Sequence, residues 1–166
     1  SVDLVGPLGQ GFSVKQGAGR LLLVGGGVGI APLAFLADEV SRRGTKVTML
    51  VGAKSAPHLI PASELPNEAT IVQATDDGSK GRKGMVTQIV GEFAEQADQV
   101  FACGPAAMYQ AMAGLDCLKG KSVQISLEEG MACGVGACYG CTVKTNRGPR
   151  QVCQDGPVFE LADIVW

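Results

Sequence analysis

Residues 21–32 read LLLVGGGVGIAP, and this stretch decides the fold class. Its first four residues are apolar without a break, which predicts a strand buried on both faces, as in a parallel sheet. The glycines that follow allow a tight turn, and the apolar positions beyond Pro32 recur with helical spacing until Gly44. A strand, a glycine turn and a helix in this order predict the first half of a β–α–β unit.

Strand and helix patterns continue to alternate as far as Leu127. The further strands are predicted at residues 47–51, 70–74, 99–103 and 123–127, and the further helices around 86–93 and after Pro105. From about Glu128 the pattern changes to a cysteine-rich loop, a short strand at 142–144 and a turn at 146–149. We therefore expect an α/β fold, with a parallel-sheet nucleotide-binding domain followed by a small domain built around a metal site.

The composition is that of an ordinary globular chain and argues against two classes of partner. Of the 166 residues, 14 are Lys or Arg and 16 are Asp or Glu, so the chain lacks the basic excess of nucleic-acid-binding proteins. The longest apolar run, residues 21–37, contains four glycines and a proline, which suits a strand, turn and helix better than a membrane span. With no secretory pattern at residues 1–3, we expect a cytoplasmic protein without nucleic-acid or membrane partners.

Four of the six cysteines lie close together, as Cys133, Cys138, Cys141 and Cys153. The first three have the Cx4Cx2C spacing of plant-type ferredoxins, in which thiolates hold a [2Fe–2S] cluster. Glycines between them allow backbone N–H groups to turn toward a negatively charged cluster. Cys153 is the only cysteine downstream, so it is the candidate for the fourth ligand.

Two other interpretations of these cysteines remain open. Structural zinc favours two separated CxxC pairs, whereas this sequence has one such pair, Cys138 and Cys141. Disulfides are typical of small exported proteins, and a chain of this size does not require them. The spacing therefore favours the [2Fe–2S] cluster. Of the two isolated cysteines, Cys117 is expected to be a packing residue.

Three sets of candidate residues follow predicted strands, where parallel sheets bind ligands. The first is the glycine turn at 25–32, whose N–H groups suit a pyrophosphate although it does not match GxGxxG. The second is DDGS at 76–79, which either binds hydroxyl groups or forms a solvated turn. The third is CGP at 103–105, in which Cys103 is either functional or a buried thiol. His58 lies in a predicted loop and is given no catalytic role.

These motifs together resemble the pyridine-nucleotide domain of the ferredoxin–NADP reductase superfamily. The resemblance rests on GGGVGIAP at 25–32, TDDGS at 75–79, and CGP at 103–105 with the Met108 that follows. The sequence LEEGMACGVGACYGC at 127–141 is similar to one family in particular, the electron-transfer subunits of type B dihydroorotate dehydrogenases. VCQDGPVF at 152–159 is similar to the same family, so the resemblance covers essentially the whole chain.

This resemblance implies a division of the chain into three segments. Residues 1–18 would be a connecting segment from a flavin-binding barrel that this sequence lacks. Residues 19–127 would form the NAD-binding domain, and residues 128–166 the [2Fe–2S] domain. FAD would then be bound by the complete subunit, and weakly or not at all by this chain, which we expect to be inactive alone.

The resemblance also implies the chemistry, which is an electron relay in pyrimidine biosynthesis. An FMN-containing catalytic subunit, joined in a heterotetramer, would oxidise dihydroorotate, and electrons would pass through the cluster and FAD to NAD+. The residues that would hold iron are Cys133, Cys138, Cys141 and Cys153. The residues that would contact the phosphates are Gly27, Gly29 and Ile30, and Asp76 would contact the nucleotide or the flavin. The nicotinamide would be flanked by Cys103, Gly104 and Pro105. No residue is implied as a general acid or base, because the cofactors carry the chemistry.

Two alternative functions stay open, as does the choice of nucleotide. A reductase of the same superfamily would serve a hydrogenase or an oxygenase, and a zinc-stabilised nucleotide-binding module would carry no electrons. The family implies NAD rather than NADP, although GAKS at 52–55 offers no acidic ribose partner and Lys54 suits a 2′-phosphate. Tyr139, in the cysteine loop, is expected to contact the partner subunit.

Overall fold

The computed structural model describes residues 6–166, so the first five residues of the predicted connecting segment lie outside it. The strands are β1 (Arg20–Gly26), β2 (Lys46–Ala53), β3 (Thr70–Thr75), β4 (Arg82–Lys83), β5 (Gln99–Cys103), β6 (Val123–Ser126), β7 (Thr142–Thr145), β8 (Gly148–Gln151) and β9 (Val158–Glu160). The helices are α1 (Ile30–Ser41), α2 (Val90–Ala94), α3 (Ala106–Ala113) and α4 (Val152–Asp155). Within the described part of the chain, no helix is long and apolar enough to cross a membrane.

Seven of the strands form one sheet, in the order β4-β3-β2-β1-β5-β6-β9. Every neighbouring pair is parallel except β6 and β9, which are antiparallel. This topology confirms the predicted α/β fold with a parallel sheet. The strand order reverses between β1 and β5, and open α/β sheets bind their ligands at such a switch point, beyond the carboxyl ends of the strands.

The core lies on both faces of the central strand β1. Side chains alternate along a strand, so Leu22 and Val24 join the apolar cluster on one face while Leu21 and Leu23 join the cluster on the other. The longest described helix, α1, covers the second face with five buried residues, Ile30, Leu33, Leu36, Ala37 and Val40. The unbroken apolar run at residues 21–24 therefore lies at the centre of the sheet.

The described part of the predicted connecting segment lies along the amino ends of β5 and β6. The N–H group of Ser13 donates to the side-chain carbonyl of Gln124, and that of Lys15 donates to the side-chain carbonyl of Gln99, both at 2.9 Å. Gln99 is fully buried, so the bond from Lys15 satisfies a polar side chain inside the core.

The cysteine-rich part of the chain shares the large sheet with the nucleotide-binding part. Strands β7 and β8 form a separate antiparallel hairpin, and the predicted turn is shorter than 146–149 because Gly148 and Pro149 pair with β7. After α4 the chain returns to the sheet, where β9 pairs with β6 and the N–H group of Leu127 donates to the carbonyl of Pro157 at 2.8 Å. The predicted boundary between residues 127 and 128 is therefore crossed by hydrogen bonds, and it stays a prediction.

Candidate functional site

The glycine turn after β1 packs directly on the end of β5. A Cβ atom on Gly29 would lie 2.2 Å from the carbonyl oxygen of Cys103, and one on Gly26 would lie 3.0 Å from Cδ of Pro105. Gly27 has a φ of +57°, in the left-handed region that favours glycine. The first and third sets of predicted residues thus meet at the switch point, and side chains would keep the two turns apart.

Ile30, the other predicted phosphate contact, faces the protein interior. Its side chain is completely buried in the α1 face of the core. Its N–H group bonds to the carbonyl groups of Gly27 and Val28 within the turn. Gly29 is also buried, so Gly27 is the predicted phosphate residue that borders open space, and the roles of Gly29 and Ile30 stay predictions.

A cleft of about 430 Å³ opens beyond the carboxyl ends of β1, β2, β3 and β5. Gly27 and Pro105 line it at the switch point, whereas Lys54, His58 and Asp76 line it beyond β2 and β3. Two strand spacings of roughly 4.8 Å separate β1 from β3, so the cleft suits an extended ligand with polar groups at both ends.

The DDGS turn shows the solvated-turn role at Asp77, whereas the binding of hydroxyl groups stays a prediction. Ser79 donates to the Asp77 carboxylate from its hydroxyl at 2.6 Å and from its N–H group at 2.9 Å. These bonds, the hydroxyl bond first, lower the pKa of Asp77. Asp77 therefore stabilises a solvated turn, and the neighbouring Asp76 lines the cleft.

Sequence reasoning did not assign two residues that line this cleft, His58 and Met85. His58 reaches it because a short 3-10 turn, Ala56–His58, follows the end of β2, and its Nδ1 atom lies 2.8 Å from the hydroxyl oxygen of Ser55. Met85 follows β4 with more than half of its surface exposed. Neither position carries a sequence signal, because a lone histidine or methionine in a loop fits many roles.

The turn after β5 separates this cleft from a second one of about 360 Å³. Pro105 lines both clefts, while Gly104 lines the second together with Glu128, Lys144 and Trp166. Cys103 is half-buried, with its sulfur 3.8 Å from the carbonyl oxygen at the end of β6. Burial raises the pKa of the Cys103 thiol, which therefore keeps its proton near neutral pH.

The four clustered cysteines form two pairs in different surroundings. The N–H group of Cys138 points at the sulfur of Cys133, and that of Cys153 points at the sulfur of Cys141, each at 3.4 Å. Cys138 is exposed and Cys133 half-buried, whereas Cys141 and Cys153 are both buried. One pair is therefore open to a partner molecule while the other lies inside the protein.

The loop around the first pair favours a thiolate. The N–H group of Val135, followed by that of Cys138, lowers the pKa of Cys133 to about 6. Gly134 and Gly136 have φ values of +70° and +79°, and this backbone conformation allows successive N–H groups to face inward. Such a concave set of donors suits a metal-bound thiolate, which carries negative charge.

The paired arrangement suits a two-iron cluster. A [2Fe–2S] cluster places two thiolates on each iron, which two pairs of cysteines with N–H donors can supply. The ligand assignment itself stays a prediction.

Comparison with known families identifies both parts of the chain. Residues 23–114, more than half of the sequence, match the family described as the oxidoreductase NAD-binding domain. The chain belongs to this oxidoreductase family. The last part of this NAD-binding oxidoreductase, residues 128–165, matches the iron–sulfur cluster binding domain of dihydroorotate dehydrogenase B. These matches support the predicted cofactor set, which is a [2Fe–2S] cluster, NAD, and FAD in the complete subunit.

Two curated relatives are similar to 99% of this oxidoreductase chain. Both are named dihydroorotate dehydrogenase B (NAD(+)), electron transfer subunit. The relative from Caldanaerobacter subterraneus subsp. tengcongensis is 41% identical, and that from Listeria monocytogenes serotype 4b is 40% identical. The chain spans 66% of the length of each relative. The resemblance predicted from the motifs is confirmed.

Two solved structures have the same fold. An NADH-dependent reduced ferredoxin–NADP oxidoreductase superposes with a TM-score of 0.84 at 32% identity, covering 99% of this chain and 60% of that one. The ferredoxin reductase of carbazole 1,9a-dioxygenase superposes with a TM-score of 0.56 at 22% identity, over 67% of this chain and 38% of that one. The second likeness shows the fold alone.

Proposed function

We propose that this chain belongs to the electron-transfer subunit of an NAD-dependent dihydroorotate dehydrogenase of type B, where it relays electrons from a catalytic subunit to NAD+. The observation that carries the proposal is the pairing of β6 with β9, which follows the cysteine loop. This pairing anchors the segment that carries the cysteine pairs to the sheet that carries the nucleotide cleft. A shared sheet suits a relay, because electron transfer requires a fixed geometry between its centres.

The chain's own residues bind and orient cofactors rather than perform acid–base chemistry. When bound, a [2Fe–2S] cluster exchanges single electrons, a nicotinamide exchanges a hydride, and a flavin links the two. Cys133, Cys138, Cys141 and Cys153 would hold iron, with backbone N–H groups compensating the charge of their sulfur atoms. We retain residues 19–127 as the NAD-binding domain and residues 128–166 as the [2Fe–2S] domain.

The cleft supports NAD as the nucleotide. Gly27 at the positive end of the α1 region suits the pyrophosphate, and Pro105, in the turn at 103–105, lines the cleft where the nicotinamide would lie. At the far end, Asp76 would accept hydrogen bonds from ribose hydroxyls and repel a 2′-phosphate. This carboxylate follows β3. The sequence after β2, where an acidic ribose partner was expected, has Lys54 instead.

The exposed cysteine pair supports a protein partner on that side. Tyr139 is 70% exposed and has a φ of 58°, which is unusual for a residue other than glycine. An exposed aromatic side chain in strained backbone beside Cys138 suits an interface. The partner would be the FMN-containing catalytic subunit in a heterotetramer. The complex would lie in the cytoplasm, a reducing compartment, with which six cysteines outside any disulfide are consistent.

Activity of the complete protein with its catalytic subunit tests this proposal. Dihydroorotate should reduce NAD+ in the wild-type complex, and Cys138→Ser should abolish that reaction while bound iron falls. Cys117→Ser is the matched control, since this half-buried cysteine lies outside the loop. If the chain alone reduces NAD+, it is not the inactive part that we predict. Zinc without iron or sulfide in the purified protein would overturn the relay.

A second candidate function is a reductase that exchanges electrons with ferredoxin. It is favoured by the likeness to the NADH-dependent reduced ferredoxin–NADP oxidoreductase, at 32% identity and a TM-score of 0.84. The two functions differ in the electron donor. Reduction of NAD+ by reduced ferredoxin, but not by dihydroorotate, would favour this candidate. A hydrogenase or oxygenase partner would likewise be identified by testing whether it exchanges electrons with the complete protein.

A further inference from the structure

The hydroxyl group of Tyr109 joins two strand ends beside the nucleotide cleft. It accepts a hydrogen bond from the N–H group of Gly104 at 2.9 Å and donates one to the carbonyl of Ser126 at 2.5 Å. Gly104 follows β5 and Ser126 ends β6, so one side chain on α3 links two neighbouring strand ends. Only 1% of Tyr109 is exposed, so water does not replace these bonds. Burial raises the pKa of Tyr109, and the phenol stays a donor.

The backbone held by Tyr109 is confined on its other sides by close contacts. A Cβ atom on Gly104 would lie 2.7 Å from Cε of Met108 and 3.2 Å from Cα of Gly26. The glycine turn therefore lies against one side of Gly104 and α3 against another. The hydroxyl of Tyr109 satisfies the N–H group that this crowded turn would otherwise leave without a partner.

The ring of Tyr109 is also held from the cysteine-rich side. Trp166 stacks on it, with ring centroids 5.8 Å apart and an angle of 30° between the planes. The preceding residue, Val165, donates its N–H group to the carbonyl of Lys144 in β7 at 3.0 Å. The position of the Tyr109 ring is thus set by both parts of the chain.

We propose that Tyr109 is a positioning residue for the nicotinamide end of the bound nucleotide. Its hydroxyl holds Gly104 and thereby positions the adjacent Pro105, which lines the nucleotide cleft, without touching the ligand. This inference rests on the proposed function, in which the turn at 103–105 flanks the nicotinamide. The adenosine end would lie beyond β2 and β3, near Lys54 and Asp76, where no bond of Tyr109 reaches.

The test compares two ligands that differ only at the nicotinamide end. NADH and ADP-ribose are titrated calorimetrically into the wild-type chain and into Tyr109→Phe, which keeps the ring and removes both hydrogen bonds. We expect the Kd of NADH to rise about tenfold, and the Kd of ADP-ribose to stay within about twofold. Ser122→Ala is the control, because it removes a hydroxyl bond to Glu160 (2.8 Å) at the opposite end of β6; both Kd values should be unchanged.

Each outcome decides between positioning and a general structural role. Equal weakening of both ligands in Tyr109→Phe, or no weakening of either, would overturn the inference and leave the proposed function intact. A wild-type chain that binds neither ligand would overturn the proposed function, and this inference with it.

A second measurement does not depend on how the variant folds. In the wild-type chain, the amide of Gly104 should exchange its hydrogen at least about a hundredfold more slowly than that of Ala106, which opens α3. Slow exchange supports the bond to Tyr109. Equal exchange of the two amides would overturn the inference even if Tyr109→Phe does not fold.

Discussion

Gly29 lies so close to Cys103 that a Cβ atom on the glycine would be 2.2 Å from the cysteine's carbonyl oxygen. The contact joins the end of β1 to the end of β5, the two strands that flank the switch point. The atoms that this Cβ atom would meet belong to the backbone of Cys103 and Gly104, and backbone shifts less readily than the end of a flexible side chain. The nucleotide cleft therefore depends on the absence of a side chain at residue 29.

Gly29→Ala should destabilise the fold. Since the new methyl group meets backbone, we expect the free energy of unfolding to fall by roughly 2–4 kcal/mol. Urea denaturation followed by circular dichroism measures this change. Gly19→Ala is the control, because a Cβ atom there meets its nearest neighbour at 3.9 Å, and it should cost less than about 0.5 kcal/mol. Equal effects of the two substitutions would contradict the proposed close contact.

In metal-free protein, the thiol of Cys133 should be more acidic than that of Cys103. Backbone N–H groups lower its pKa to about 6, so alkylation by iodoacetamide should slow as the pH falls through about 6. Because the folded state favours the thiolate, this contribution to stability is complete above the pH at which the unfolded thiol ionises. It is lost as the pH falls toward 6.

Mass spectrometry of the alkylated peptides measures these rates for each cysteine. Cys103 is the internal comparison, because burial raises its pKa, and it should react slowly across the same range. If the alkylation rates of Cys133 and Cys103 depend on pH in the same way, the N–H groups of the loop do not stabilise a thiolate.

Asp76→Asn should shift nucleotide preference toward NADP(H). Removing the carboxylate removes the repulsion of a 2′-phosphate, and Lys54 lines the same cleft. We expect the ratio of the Kd values for NADPH and NADH to fall about tenfold, as measured by calorimetric titration. Asp77→Asn, the neighbouring control, loses charge in a solvated turn and should leave the ratio unchanged. An unchanged ratio in Asp76→Asn would place the ribose elsewhere.

Tyr139→Asp should weaken association with the catalytic subunit and leave the cluster in place. The exposed ring lies beside Cys138, so a charge there would oppose burial in an interface. We expect about a tenfold rise in Kd, measured by surface plasmon resonance, with unchanged visible absorption. Phe35→Asp, at an aromatic residue that is 74% exposed on α1, is the matched control. Equal weakening by both substitutions would contradict an interface at the cysteine loop.

Local patterns in the sequence determined much of this molecule. The unbroken apolar run at 21–24 predicted the central strand, and the strand predicted at 99–103 has the bounds that the structure shows. Cysteine spacing alone indicated an iron–sulfur site, and residues 128–165 match a domain of that kind. These inferences succeed because burial on both faces, turn formation and ligand spacing are each encoded within about ten consecutive residues.

Contacts between distant residues were decided only by the tertiary structure. A three-residue strand such as β9 has no pattern of its own, and it forms because β6 offers an unpaired edge. Asp76 and Asp77 are adjacent in sequence, yet only the positions of Ser79 and the cleft give them different roles. The hydroxyl of Tyr109 meets Ser126 across 17 positions, and nothing near either residue in sequence specifies that bond. The sequence by itself therefore determined the longer strands and the type of chemistry, whereas the short elements and the partners of individual polar groups depend on which strand ends the folded sheet brings together.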